Sequence, residues 1–162
     1  MKRGNYLWIS LGVLLLDQLT KLAVVQKFTH DSAISVIPGF FRLVRVENRG
    51  IAFGMFSDSP SAFTSIVLVL VSVAAIALVG FLLWQNPPSA SRTCVGLTLI
   101  LGGAAGNLLD RLARGHVVDF LDFYVGSYHW PAFNIADSAI CLGAATLLWD
   151  LLMASPARHR AA

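Results

Sequence analysis

The sequence predicts an α-helical membrane protein with four transmembrane helices and a small β-cradle between helices 1 and 2, on the outer face. Three observations carry that prediction. Of 162 residues, 56% are hydrophobic and only 13% charged, and the mean hydropathy is +0.69, outside the usual soluble range. The apolar residues gather in runs close to the ~20 residues a helix needs to cross a hydrocarbon core. Between the first two runs lies a stretch with the composition of strands.

The first span, 6–25, is interrupted by Asp17 and Lys21. Its basic start, Met1-Lys-Arg-Gly4, imitates a secretory signal peptide, but an apolar signal region is not usually broken by Asp and Lys. An uncleaved first helix is therefore expected. The segment 34–54 opens with β-branched and aromatic residues, alternating in Phe41-Arg-Leu43 and Val44-Arg-Val-Glu47. The phase slips at Leu43-Val44, which predicts short, bulged strands about a Pro38-Gly39 turn, resting on the membrane as a platform for an extended peptide. In Asn48-Arg-Gly-Ile-Ala-Phe-Gly54 two glycines permit tight turns.

The second span, 63–84, has no charge and is closed by Gln85-Asn-Pro-Pro88. The third, 94–111, holds the small-residue run Gly102-Gly-Ala-Ala-Gly106, which suits close helix packing, and ends at Asp110-Arg111. The fourth, 132–153, carries Asn134, Asp137 and Asp150. All four belong to a single integral membrane domain over residues 1–162, with no repeat or low-complexity tail. The pI near 9.2 reflects basic residues beside the spans and points to anionic lipid rather than nucleic acid. Cys94 and Cys141 fall at different depths, so no disulfide is expected, and both read as small buried hydrophobes.

Orientation is less legible, because Lys and Arg flank both faces about equally and the positive-inside rule does not decide. Parity decides more. Four crossings put 27–62 and 113–131 on one face, with Asp119 in the loop between the third and fourth spans. Asn107, Asp110 and Arg111 end the third span at that face, Asp137 begins the fourth there, and Asp17 and Lys21 lie in the half of the first span nearest it. The intramembrane polar residues therefore converge on one end of the bundle.

A carboxylate near hydrocarbon costs about 2.5 to 3.5 kcal/mol on insertion scales, so it usually has a task. Asp17 and Lys21 are i,i+4 partners, and mutual neutralisation accounts for them. Asn107 and Asp110 suit binding of loop backbone, and Arg111 could snorkel to headgroups. Asp122 reads as a solvated interfacial charge, and His30, His116 and His129 are scattered. Asp119 and Asp137 resist a structural explanation best, since neither has a basic residue at helical spacing. Together they suit acid–base work on a peptide bond. The sequence has no HExxH zinc-protease helix and no Gly-x-Ser-x-Gly elbow around Ser138. A proton- or ion-coupled transporter and a non-catalytic assembly factor stay open as other classes. Polarity at only one end of the bundle fits a conduction path poorly.

Five blocks together resemble the lipoprotein signal peptidase (signal peptidase II) family. They are Asp17-Gln-Leu-Thr-Lys21, Asn48-Arg-Gly-Ile-Ala-Phe53, Gly106-Asn-Leu-Leu-Asp-Arg111, Val117-Val-Asp-Phe120 and Phe133-Asn-Ile-Ala-Asp-Ser138. They occur in the family's order and run from the first span to the last. The resemblance implies an aspartic endopeptidase of the bacterial inner membrane, with cytoplasmic termini and an active site near the periplasmic face. Its substrates would be prolipoproteins bearing a diacylglyceryl group, cut just before the lipidated cysteine, and its inhibitor the cyclic lipopeptide globomycin. Asp119 and Asp137 would be catalytic, without a metal or other cofactor. Asn48 and Arg111 would bind substrate carbonyls, Asn107 and Asn134 would orient the carboxyls, and Asp17, Lys21 and Asp110 would hold helices and cradle in register. Membrane lipids would surround the spans.

Overall fold

The computed structural model describes residues 3–29, 32–50, 62–87 and 89–153. The expected readings at Met1, Lys2, His30, 51–54, Arg158 and Arg160 lie outside the described residues. The elements run α1 (Arg3–Lys27), β1 (Ala33–Ile37), β2 (Phe41–Asn48), α2 (Ala62–Gln85), α3 (Ser91–Arg114), β3 (Val117–Val125), β4 (Tyr128–His129) and α4 (Ile135–Met153). All four helices are long and apolar enough to cross a membrane.

Composition sets the place of each helix. α2 is the most apolar helix, and little of it is buried in protein. Residues such as Leu70 and Phe81 are more than half exposed, as lipid-facing side chains should be. α3 is the least apolar, and about half of its spanning segment is buried. It packs against α1, α2 and α4, so it is the central helix. Its glycines allow this. A Cβ on Gly102 would stand 2.7 Å from the carbonyl oxygen of Ser10 on α1, and one on Gly106 would stand 2.6 Å from the Asp17 carboxylate. At Gly103 the backbone carbonyl of Ala136 on α4 leaves no room for a Cβ at all. The packing read from the small-residue run is thus present on two faces of one helix.

The helices run one to three residues past several of the expected bounds, and two of the differences have clear local reasons. α3 runs on to Arg114 and stops where Gly115 takes φ 75°, its N–H donating to the Arg111 carbonyl. α4 begins at Ile135 rather than 132, because Phe133 is held as an extended bridge to Leu121 and Asn134 serves as the cap.

The sheet is antiparallel in the order β1-β2-β3-β4. β1 and β2 form a hairpin about Pro38-Gly39, with Gly39 at φ 78°. The slip in alternation is a register shift between Leu43 and Val46 against β3, and a second shift lies between Ser35 and Ile37 of β1 against β2. The segment after α3 is not simple loop. It supplies β3 and β4, and Asp119 pairs with Val46 inside the sheet. Val118 and Phe120 on one face of β3 pack with Val24 and Phe28 at the end of α1, which anchors the sheet on the bundle.

Candidate active site

Asp137 owes its placement to the start of α4. The Asn134 side-chain oxygen accepts the Asp137 N–H at 2.9 Å, and the Asp137 carboxylate accepts the Asn134 N–H at 3.3 Å. This reciprocal pair is a capping box built from Asn and Asp. The next orphan amide, that of Ala136, donates to the Asp17 carboxylate of α1 at 2.9 Å. Asp119 comes from β3, where strand alternation turns it away from Val118 and Phe120.

Asp119 and Asp137 line one cavity of about 490 Å³, with Asn48, Asn107 and Arg111 on the polar side. Trp130, Pro131, Ala132, Phe133 and Ile140 make much of its apolar wall. Asp119 accepts from the amides of Asn48 at 3.0 Å and Asn134 at 2.7 Å. Asp137 accepts from the amide of Asn107 at 2.8 Å. The Asn134 amide also reaches the Asn107 oxygen at 3.3 Å, so the supports of the two carboxylates are continuous. Each asparagine is held in one orientation. Asn48 accepts the Gly50 N–H, Asn134 accepts the Asp137 N–H, and Asn107 accepts from the Lys21 ammonium. A flipped amide would put NH₂ against a donor. Burial, opposed by the Asn48 hydrogen bond and reinforced by the Asp137 charge, pushes the Asp119 carboxyl up to about 7.

Arg111 lines the cavity, donates to the Asn107 carbonyl at 3.3 Å, and interacts electrostatically with Asp137 and Asp119. Asp17, Lys21 and Asp110 stand behind the cavity. The fully buried Lys21 ammonium is 2.8 Å from Asp17, 2.8 Å from Asp110 and 3.0 Å from the Asn107 oxygen. Three donors thus meet three acceptors, so the i,i+4 neutralisation read from the sequence is only part of the arrangement. Asp110 also accepts the Val118 N–H of β3 at 3.3 Å and pairs with Arg114.

Residues 9–153 match the sequence profile of the family described as signal peptidase (SPase) II. The chain belongs to the signal peptidase II family. The lipoprotein signal peptidase of Paraburkholderia phymatum is 47% identical over 151 residues, covering 91% of this chain and 87% of that one. The protein of the same name from Maridesulfovibrio salexigens is 46% identical over 140 residues, covering 86% and 90%. Two solved structures described as bacterial membrane enzymes share the fold. One has a TM-score of 0.82 at 28% identity, covering 92% of this chain and 88% of that one, and the other 0.83 at 25%, covering 94% and 95%. This signal peptidase II is therefore a multi-pass bacterial membrane peptidase.

Several of its residues escaped the sequence reading or are corrected by the structure. Asp122 is not a solvated charge. It is 5% exposed, 2.5 Å from Arg42 and 3.1 Å from His129. Cys141 is exposed and lines the same cavity, one helical turn beyond Asp137, whereas Cys94 is fully buried, and neither is in a disulfide. Trp130 carries no local motif that could have placed it in the cavity wall. Arg114, four residues after Asp110, was legible from helical spacing, whereas Gln18, which donates to Asp17 and to the distant Asp110, was not.

Proposed function

We propose that this peptidase cleaves diacylglyceryl-modified prolipoproteins just before the lipidated cysteine, with Asp119 and Asp137 as its catalytic dyad. One observation carries the reading: two carboxylates on one cavity wall, each accepting from orientation-locked asparagine amides that touch one another.

Neighbouring carboxyls in a site of low polarity cannot both ionise cheaply, so the pair holds one proton over a pH range. The ionised member takes a proton from a water as its oxygen bonds to the scissile carbonyl carbon. The protonated member donates a hydrogen bond to the carbonyl oxygen. Collapse of the tetrahedral intermediate breaks the C–N bond, and the leaving nitrogen takes up a proton from the pair. A group held near 7, as Asp119 is, can both give and accept a proton at neutral pH. The titration belongs to the pair.

In this reading the Arg111 guanidinium and the Asn48 amide fix an extended substrate backbone, Asn107 and Asn134 orient the carboxyls, and Asp17, Lys21 and Asp110 hold the elements together. The apolar wall from Trp130 to Ile140 suits the substrate's apolar side chains, and lipid-exposed helix flanks suit lateral arrival of the acyl chains. The termini are assigned to the cytoplasm and the cavity to the periplasmic face, where globomycin would bind. No cofactor enters the reaction.

The test incubates purified protein in detergent with a diacylated prolipoprotein and with its unmodified form. Signal-peptide release from the lipidated form alone is expected, and release should be abolished in Asp119→Asn and in Asp137→Asn. These variants keep the shape of the side chain but not a base. Substantial turnover by either removes that residue from the dyad.

A further inference from the structure

We propose that Lys21 is a positioning residue of the dyad, acting through the amide of Asn107. The inference rests on the dyad assigned above and goes beyond a role in joining helices. Of the donors that lock the three asparagines, two are backbone N–H groups, of Gly50 and Asp137, whose places follow from local chain geometry. The third is the Lys21 ammonium, a side chain from another helix, 3.0 Å from the Asn107 oxygen. An ammonium has donors only, so it dictates that oxygen, and not NH₂, faces it. The Asn107 NH₂ is thereby turned onto Asp137 at 2.8 Å.

Asp17 and Asp110 hold the ammonium at 2.8 Å each, and Gln18 donates to both carboxylates at 3.1 and 3.2 Å. Arg114 completes the charge balance beside Asp110. With no exposure at Lys21, Asp17 or Asp110, water cannot replace any of these contacts. Without the ammonium, only the longer Asn134 contact, at 3.3 Å, and the Asp137 carboxylate while it is ionised would discriminate between the two Asn107 orientations. The flipped orientation would set oxygen against the Asp137 carboxylate.

The test is a cycle on kcat. Lys21→Met combined with Asp17→Asn removes the ammonium while leaving Asp110 paired with Arg114, and the side-chain amide introduced at position 17 keeps an oxygen for the Ala136 N–H. The kcat of this double variant should fall at least tenfold with KM within twofold of the parent. On an Asn107→Ala background the same two changes should lower kcat less than threefold further, because the route is already gone. A parent-like kcat, or an equal loss on both backgrounds, overturns the proposal. Protein labelled with ¹⁵N-asparagine supplies a readout that does not depend on the folding of these variants. The Asn107 side-chain amide should exchange slowly in the parent, and fast exchange also overturns the proposal. An active Asp137→Asn would instead sink the dyad while leaving the amide's orientation measurable.

Discussion

At Asp119 the decisive quantity is burial. Folding raises its carboxyl from the ordinary 3.8 to about 7, so the folded state holds the proton more tightly than the unfolded chain. The stability this contributes is complete below about pH 4 and is lost as pH rises through about 7. Thermal midpoints in detergent should therefore fall less between pH 5 and 8 for Asp119→Asn than for the parent. Cleavage should decline on the alkaline side with a limb near pH 7, as the pair loses its shared proton. A rate still rising at pH 9 would contradict both the burial argument and the shared proton. Arg111 separates two roles by shape rather than charge. Lysine would serve a residue that only reaches headgroups, but it lacks the planar fork needed to hold a carbonyl beside the dyad. A charge-assisted hydrogen bond is worth about 1.5 to 3 kcal/mol, so Arg111→Lys should insert normally and cleave at least tenfold more slowly. Parent-level kcat/KM in that variant would leave Arg111 a topology residue.

Among the elements, α3 sets the geometry because it is the helix that the others approach. Gly103 meets the Ala136 backbone in the first turn of α4, one residue before Asp137. Any Cβ there must push the start of α4 away, and overpacking of this kind costs about 1 to 3 kcal/mol. Gly103→Ala should therefore lose most of its activity and lower the thermal midpoint. Gly80 on α2 has nothing within 4 Å of an added Cβ, so Gly80→Ala should leave both unchanged. Equal behaviour of the two variants would refute the close approach. The start of α4 also shows how far local sequence reached. Asn134-Ile-Ala-Asp137 has the spacing of a capping box, and Pro131 marks a chain not yet helical. That Asp17 caps the neighbouring amide depends on a residue 119 positions away, which no local pattern reveals.

Across the whole molecule, two inter-helix segments far apart in sequence build one sheet, and Arg42, Asp122 and His129 tie three of its strands together. The cluster lies on the face of β3 opposite Asp119. Asp122→Asn should therefore lower the thermal midpoint by a few degrees, the loss of about 1 kcal/mol expected for a partly exposed pair, while keeping most of the turnover. A dead but stable Asp122→Asn would mean that this acid, not Asp119, serves the reaction.

The sequence by itself determined the four spans, their order and the convergence of polar residues on one end. Hydrocarbon admits only long apolar helices, and parity then places every loop. It also marked Asp119 and Asp137, because an uncompensated carboxylate beside a membrane is too costly to be incidental. Only the tertiary structure decided that Asp119 stands in a strand, that Asp122 is buried, and that Cys141 faces the cavity. Each of these depends on pairing or packing between segments distant in the chain. The same is true of Lys21. Its i,i+4 partner was visible in the sequence, but the hydrogen bond to Asn107 exists only where α1 crosses α3. There the glycine face of α3 brings the two helices close enough for a buried ammonium to touch three acceptors at once.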